Sequence, residues 1–284
     1  MKKIFALLIT AVLALTAAFG FAACGGLDPK GEKNIIIGAS STPHAEILEH
    51  VKGDLEKLGY KVEIKVYGDY VLPNTDLEDG TINANYFQHE PYLNDFNKEN
   101  GTHLVSVFKP HYEPFGLYGK NVSKSAYEAS EKTGKKIYIP NDGSNGTRAL
   151  LLLQQEGFIT LKAGANGNDV LTESDIVDKN GNNIQFATAS NVYSLLNNDA
   201  DGTLAVINGN YALEAGLSVK NDAIAVEDAS GDAAQLYANL IAVKAGEENS
   251  EKTKAIISVL KSQKVIDFIN SKYDGAVLPA FELG

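Results

Sequence analysis

Residues 136–155, KIYIPNDGSNGTRALLLLQQ, join three local patterns in one short stretch. Lys136–Pro140 is a mostly apolar run, typical of a strand that is buried on both faces. Asn141–Gly146 is a polar turn, rich in residues that interrupt regular structure. Arg148–Gln155 then has the apolar pattern of a helix. A strand, a turn and a helix in succession form the repeating unit of an α/β fold.

The same alternation extends along the chain in both directions. Further strand-like runs are 34–38, 62–66, 104–108, 184–187, 203–207, 223–226 and 240–243. Helical patterns lie between them, from Pro43 at a first helical position to the stop at Gly59, and over Lys252–Lys272. The pattern predicts an α/β architecture with mainly parallel sheets. The polar stretch 163–183 is interpreted as a surface excursion.

Arg148 is the only arginine of the chain. A guanidinium binds a carboxylate through two parallel hydrogen bonds, which lysine cannot reproduce. The residue falls in the first turn of a predicted helix, where a cation is locally unfavourable and an anionic partner is therefore expected. That partner can be a ligand or an internal Asp or Glu, and a single surface arginine is the simplest alternative.

The N-terminus has the features of an export signal. Lys2 and Lys3 precede the apolar segment Ile4–Ala23, which ends in small residues before Cys24. Residues 21–24 resemble the lipobox of bacterial lipoproteins, with Phe21 in place of the usual Leu. We therefore predict a signal peptide over 1–23, diacylation of Cys24, and a flexible tether over 24–33. The alternative is a plain secretory signal, or an uncleaved anchor, with a chance cysteine.

Composition limits the possible functions. The 284 residues have a formal charge of −11, which argues against nucleic acid as a partner. The single cysteine excludes an internal disulfide and, once acylated, leaves no thiol nucleophile. The sequence contains no HExxH, GxGxxG or P-loop motif, so we expect no enzyme, no cofactor and no metal.

An exported, tethered α/β protein of this kind is typical of solute receptors. Such receptors place ligand groups at the carboxyl ends of strands and the amino ends of helices. Polar turns follow three of the predicted strands here, at 111–114, 141–146 and 208–211. We expect these turns to meet at one crevice.

Several long blocks of the chain resemble the methionine-binding lipoproteins of bacterial ABC importers. The blocks are 43–48, 70–75, 84–93, 113–118, 140–153, 205–217 and 237–241. They occur in the family's order and span nearly the whole mature chain. Gly143 and Thr147 depart from the proline and glycine of the family, which predicts a looser turn before Arg148.

The resemblance implies a type II periplasmic-binding-protein fold, with two α/β lobes around a ligand cleft and two crossovers between them. Lobe 1 would comprise 34–112 and 234–284, and lobe 2 would comprise 113–233. The implied function is a lipid-anchored extracytoplasmic receptor, which binds L-methionine and delivers it to an ABC permease with its ATPase.

The resemblance also assigns ligand-binding residues. Arg148 would take the ligand carboxylate, helped by Asn145 and its turn, and Asn208 would orient the zwitterion. Aromatic rings suit a thioether, since each sulfur–ring contact contributes about 0.3–1.5 kcal/mol. The full predicted set is Tyr70, Tyr86, Phe87, His89, His111, Asn141, Asn145, Arg148, Asn208, Asn210 and Tyr211. Ordinary core packing of the aromatic residues, and structural histidines, are the competing interpretations.

Other functions stay open at this point. Within the receptor fold, the ligand could be D-methionine, glycyl-methionine or another small amino acid, because one methylene alters binding by only about 1–3 kcal/mol. A receptor for zinc or manganese is a further alternative. A lipoprotein hydrolase or a surface adhesin would represent a different class of protein.

Overall fold

The computed structural model of the chain describes residues 26–228 and 232–283. The predicted signal peptide and Cys24 lie outside this part of the chain. The strands are β1 (Asn34–Ser40), β2 (Lys61–Tyr67), β3 (Ala84–His89), β4 (Leu104–Tyr112), β5 (Gly116–Gly119), β6 (Lys136–Pro140), β7 (Thr160–Leu161), β8 (Ile176–Asp178), β9 (Asn183–Ala187), β10 (Leu204–Ile207), β11 (Ala225–Val226), β12 (Asn239–Lys244) and β13 (Leu278–Pro279). The α-helices are α1 (Glu46–Lys57), α2 (Leu72–Glu78), α3 (Glu90–Asn100), α4 (Lys124–Glu128), α5 (Gly143–Gln155), α6 (Ala189–Asn198), α7 (Gly209–Glu214), α8 (Asp232–Leu236), α9 (Glu251–Leu260) and α10 (Gln263–Tyr273).

Two mixed sheets define two lobes. Lobe 1 contains a six-stranded sheet of order β13-β4-β12-β3-β1-β2. Lobe 2 contains a five-stranded sheet of order β11-β5-β10-β6-β9. The chain passes between the sheets after β4 and again after β11, which confirms the predicted fold of two lobes and two crossovers. The precise boundaries at 112–113 and 233–234 stay a prediction.

The expectation of mainly parallel sheets is wrong. In lobe 1, β12 pairs antiparallel with both β3 and β4. In lobe 2, β5 pairs antiparallel with β10 and β11. β5 and β12 are the first strands that the chain forms after the first and the second crossover. The path by which the chain returns to each sheet sets the direction of these strands.

Helix ends differ from the sequence pattern at two places. Pro43 does not begin a regular helix, because Ser41–Ala45 forms a π-helical turn with a cis peptide bond between Thr42 and Pro43. The long helical pattern of Lys252–Lys272 is interrupted at Lys261–Ser262 and forms α9 and α10. No proline or glycine marks the break at Lys261–Ser262 in the sequence.

The strands of lobe 1 have a common polarity that fixes the two ends of the lobe. β1 is parallel to β2 and β3, and β4 has the same direction because β12 opposes both β3 and β4. The carboxyl ends of these strands face lobe 2. We call the opposite end, where β1–β4 begin, the pole of lobe 1.

Residues 27–33 lie on this pole. Leu27 packs against the apolar cluster that contains Leu77 and Ile82, and its backbone N–H donates to Glu63 Oε2 at 3.1 Å. The carbonyl oxygen of Pro29 accepts hydrogen bonds from Asn83 and Lys252. Across the described residues, no helix combines the length and the apolar character needed to cross a bilayer.

Candidate ligand-binding site

A cavity lies between the two lobes, at the carboxyl ends of their strands. The side chains and backbone that line it are Tyr70, Phe87, Gln88, His89, Tyr92, Glu113, Phe115, Asn145, Arg148, Asn208, Gly209, Asn210 and Asn239. The predicted set supplies Tyr70, Phe87, His89, Asn145, Arg148, Asn208 and Asn210 to this lining. The turns after β6 and β10 therefore meet at one crevice, as their positions after strands predict.

Four predicted residues lie outside the lining. Tyr86 and His111 are fully buried behind the cavity, where the Tyr86 hydroxyl hydrogen-bonds to His111 Nδ1. Asn141 is exposed at the end of β6. Tyr211 stacks on Tyr70, with ring centres 5.1 Å apart, and so supports the wall from behind. His111 and Tyr112 also belong to β4 rather than to the turn after it.

A chain of hydrogen bonds sets the orientation of Asn208. Asp142 caps α5 and accepts from both the backbone N–H and the side-chain Nδ2 of Asn145, each at 2.9 Å. Asn145 Oδ1 therefore points away from the helix and accepts from Asn208 Nδ2 at 2.9 Å. This leaves Asn208 Oδ1 buried without a partner among residues 26–228 and 232–283. A buried acceptor without a donor is costly, so it marks a place for a ligand N–H group.

His89 is fixed as a neutral ring by the same network. Its Nε2 lies 3.2 Å from Asn145 Oδ1, and its Nδ1 accepts from the backbone N–H of Tyr92 at 3.3 Å. The proton therefore sits on Nε2. Burial, and then the positive charge of Arg148, lower the pKa of His89 to about 3. At neutral pH, His89 is therefore an uncharged polar side chain in the wall of the cavity.

Arg148 is engaged by an internal carboxylate. Its Nε donates to Glu227 Oε2 at 2.8 Å and its Nη2 donates to Glu227 Oε1, which makes the pair bidentate. Nη2 also donates to the backbone oxygen of Glu113 at 2.6 Å. Both charged side chains are at least nine-tenths buried. Burial opposes the charge of Arg148, yet the Glu227 carboxylate raises its pKa above the usual value.

The position of Arg148 differs from the sequence expectation in one respect. Because α5 begins at Gly143, Arg148 occupies the second turn of the helix and not the first. Its guanidinium lies 3.9 Å from the ring centre of Phe115 and 4.6 Å from that of Tyr237. Such stacking stabilises a buried cation. Among the described residues only Nε and Nη2 are hydrogen-bonded, which leaves Nη1 for a ligand anion.

Three aromatic rings form one wall of the cavity. Tyr70 lies 5.6 Å from Phe87 and 5.7 Å from Tyr92, measured between ring centres. Phe87 and Tyr92 are 6.0 Å apart and meet edge to face. This wall offers an apolar surface to a ligand side chain, next to the polar groups of lobe 2.

A buried polar cluster lies behind the cavity and includes Glu113, which also lines it. His111 Nε2 donates to Glu113 Oε1 at 2.7 Å, and His44 Nε2 bonds Asn239 Oδ1 at 2.9 Å. Burial lowers the pKa of His44 to about 4 and that of His111 to about 3, and it raises the pKa of Glu113.

The ligand atoms of His44, His111 and Glu113 lie within 4.8 Å of one another, a spacing that a metal ion could use. Their nitrogens are already hydrogen-bonded within the cluster, apart from Nδ1 of His44. The cluster is therefore better described as a hydrogen-bonded support for Glu113 and Asn239.

Contacts across the cavity hold the lobes together in a closed arrangement. The Tyr70 hydroxyl donates to Asn210 Oδ1 at 2.5 Å, and the Tyr211 hydroxyl donates to the backbone oxygen of Gly68 at 3.3 Å. Ser41 Oγ donates to Glu214 Oε1 at 2.8 Å. In the part of the chain that the structure describes, Asn210 Nδ2 has no hydrogen-bond partner within 3.5 Å, although the Glu214 carboxyl group lies close to it.

No sequence pattern indicates a site role for Glu113, Asn239 or Glu227. Glu113 belongs to a predicted turn after a strand, but nothing in the local sequence distinguishes it from other surface acids. Glu227 lies 79 positions from its partner Arg148, so only the fold brings the two together. The single arginine of the sequence is the feature that points to this pair, because an internal acid is among its possible partners.

Comparison with known proteins places this site in a family. The model of the NlpA lipoprotein family matches residues 35–281. The chain belongs to the NlpA lipoprotein family. Its members are substrate-binding lipoproteins and not enzymes.

Individual relatives match this chain over nearly their whole length. The methionine-binding lipoprotein MetQ of Bacillus subtilis (strain 168) is 40% identical, over 99% of this chain and 100% of the relative. The D-methionine-binding lipoprotein MetQ of Salmonella typhi is 37% identical, over 94% of this chain and 96% of the relative. A nutrient-binding protein from Burkholderia cenocepacia, solved bound to methionine, is 36% identical with a TM-score of 0.79, over 87% of this chain and 100% of that one.

Proposed function

We propose that this NlpA lipoprotein binds L-methionine in the cavity between its lobes and delivers it to an ABC permease with its ATPase. The observation that carries the proposal is the buried, unpartnered Oδ1 of Asn208, which lines the cavity together with the guanidinium of Arg148 and the aromatic wall. An acceptor, a cation and an apolar wall correspond to the ammonium, carboxylate and side chain of an amino acid.

The ammonium group would donate to Asn208 Oδ1. The Asp142–Asn145 cap keeps that oxygen in place before the ligand arrives, so little conformational entropy is lost on binding. The carboxylate would accept from Nη1 of Arg148. Glu227 accepts hydrogen bonds from Nε and Nη2 on the other edge of the guanidinium. This rigid, buried pair fixes the direction in which Nη1 points.

The thioether would lie against Tyr70, Phe87 and Tyr92. Sulfur contacts with ring edges contribute about 0.3–1.5 kcal/mol each, which favours methionine over an aliphatic side chain of the same length. Closure would then complete the site, because the Tyr70–Asn210 hydrogen bond joins one wall of lobe 1 to the α7 turn of lobe 2.

Isothermal titration of ligand-stripped protein tests the ligand. We expect binding of L-methionine, weaker binding of norleucine, which lacks the sulfur, and weaker binding of D-methionine and glycyl-methionine. Tighter binding of D-methionine would reassign the enantiomer, an alternative that the Salmonella relative's name makes relevant. No binding of any of the four by folded protein would refute the proposal.

The membrane partner follows from the lipoprotein family. We propose that Cys24 is the acylated residue and that it holds the receptor on the extracytoplasmic face of the membrane. Two acyl chains give stable anchoring, whereas one gives only marginal binding. Mass spectrometry of the mature N-terminal peptide would show a diacylated Cys24, and an unmodified cysteine there would refute the anchor.

A further inference from the structure

The segment Leu27–Lys33, which we call the strap, follows the predicted acylation site by only two glycines. Its composition is polar and rich in chain-breaking residues, which predicts a flexible linker. In the structure, however, it lies on the pole of lobe 1 with Leu27 packed against an apolar cluster. Pro29 O accepts from Asn83 Nδ2 at 2.9 Å and from Lys252 Nζ at 2.6 Å.

Contacts within the strap reinforce this docking. Asp28 O accepts from the N–H of Gly31 at 3.0 Å and from Asn34 Nδ2 at 2.9 Å. The ammonium group of Lys33 lies 4.8 Å from the ring centre of Tyr60. Together with the contacts of Leu27 and Pro29, these favour a docked segment over a freely moving one.

Docking of the strap limits the distance between the predicted lipid anchor at Cys24 and the pole. Residues 24–26 span at most about 10 Å when fully extended. The cavity is at the other end of lobe 1, and β1, with its seven residues, spans about 23 Å between the two ends. A docked strap therefore places the pole nearer the bilayer than the cavity.

Charge does not explain this orientation. The groove beside the strap contains Lys30, Lys33, Lys244 and Lys252, but also Glu32, Glu247 and Glu251. A mixed surface of this kind has no strong preference for anionic lipid. The covalent link and the strap contacts would set the orientation instead.

We propose that the docked strap holds the pole of lobe 1 against the phospholipid surface, with the cavity facing away, and that the strap leaves the pole when the cavity turns towards the permease. The proposal rests on the lipid anchor of the proposed function. Once free, residues 24–33 span up to about 35 Å, which exceeds the length of the sheet and permits the turn.

Spin labels on the acylated, full-length protein test the orientation. The protein is reconstituted into vesicles of phosphatidylethanolamine and phosphatidylglycerol that contain a nickel-chelating lipid. Asn249→Cys places one label near the pole, and Val71→Cys places another beside the cavity; both positions are exposed. Acylation of Cys24 leaves the introduced cysteine as the only thiol.

We expect strong relaxation of the label at position 249 by the nickel lipid and little at position 71. Leu27→Ser and Lys252→Ala together should loosen the strap, so that the nickel lipid relaxes the labels at positions 249 and 71 to nearly the same extent. The matched control is Lys254→Ala on the same helix, where the side chain pairs with exposed Glu251. Equal relaxation at both positions in the unaltered strap would overturn the proposal.

A cross-link tests the release of the strap. Leu27→Cys and Glu63→Cys, joined by a flexible bis-maleimide, should leave methionine affinity unchanged but abolish methionine uptake by cells in which this chain is the only receptor for the permease. Unchanged uptake would overturn the release step. Protein that fails to remain with the vesicles at all would instead refute the lipid anchor, and the orientation with it.

Discussion

Replacing Arg148 should affect folding as well as ligand binding, because its positive charge is paired inside the protein. Arg148→Met keeps a long side chain but removes the three hydrogen bonds to Glu227 and to the Glu113 carbonyl. The Glu227 carboxylate, whose side chain is only 9% exposed, is then left without its counter-ion. Removing one partner of a buried pair costs about 3–5 kcal/mol of stability.

A second substitution separates the stranded charge from lost packing. Glu227→Gln in the Arg148→Met background removes the unpaired charge, while the Tyr112 hydroxyl and the Phe115 N–H can still donate to the remaining oxygen. We expect the double variant to recover at least about 2 kcal/mol relative to Arg148→Met. Methionine affinity should fall more than a hundredfold in both variants, because both lack Nη1.

Urea unfolding, followed by far-ultraviolet circular dichroism, gives the free energy of unfolding of each variant, and titration calorimetry gives the affinity. A double variant as unstable as the single one would contradict the stranded-charge explanation, since the cost would then come from packing. Affinity for methionine close to that of the wild type in folded Arg148→Met would refute the role of Arg148 in holding the carboxylate.

The remaining predictions concern the Asn208 acceptor, the buried histidines and the anchor. Asn208→Ala should weaken methionine binding by about 1–3 kcal/mol and leave the protein folded, although it also removes the buried hydrogen bond to Asn145, whereas the exposed control Asn191→Ala should leave the affinity unchanged in calorimetry and the protein folded in urea unfolding. The free energy of unfolding should fall as the pH is lowered from about 6.5 towards 4, because the unfolded chain takes up protons there that the buried histidines, with pKa values lowered to about 3 or 4, do not. His44→Gln should make that fall shallower, and an unchanged slope in urea unfolding at pH 7, 5.5 and 4.5 would contradict the assignment. Cys24→Ser should release the protein from the membrane fraction or leave an uncleaved precursor, and unchanged fractionation and size on a gel would contradict the anchor.

Periodicity predicted the central strands well, because the interior of each sheet needs continuous apolar runs. β1, β6 and β10 all match stretches that are buried along most of their length. Short strands such as β5 and β13 form because the path of the chain brings them beside other strands. Their own residues therefore show no strand-like hydrophobic pattern. Strand direction was not predictable, since an apolar run is the same whichever way it enters a sheet.

The cavity could be predicted in outline but not in its detailed contacts. Polar turns after β6 and β10 indicated where ligand groups would gather, and the family resemblance supplied the aromatic wall. The placement of Tyr86 and His111 behind the wall depends on the side of the sheet that each side chain faces near a β-bulge. The Arg148–Glu227 pair depends on the second crossover, which local sequence does not describe.

The internal pairing of Arg148 also bears on how the receptor responds to salt. Because Glu227 already balances the guanidinium, a zwitterion enters the cavity without bringing or displacing a counter-ion. The formal charge of −11 on the whole chain exerts no net pull on a ligand whose own charges cancel. Capture and release of such a cargo are therefore electroneutral events, and their rates should stay nearly constant from dilute buffer to concentrated salt.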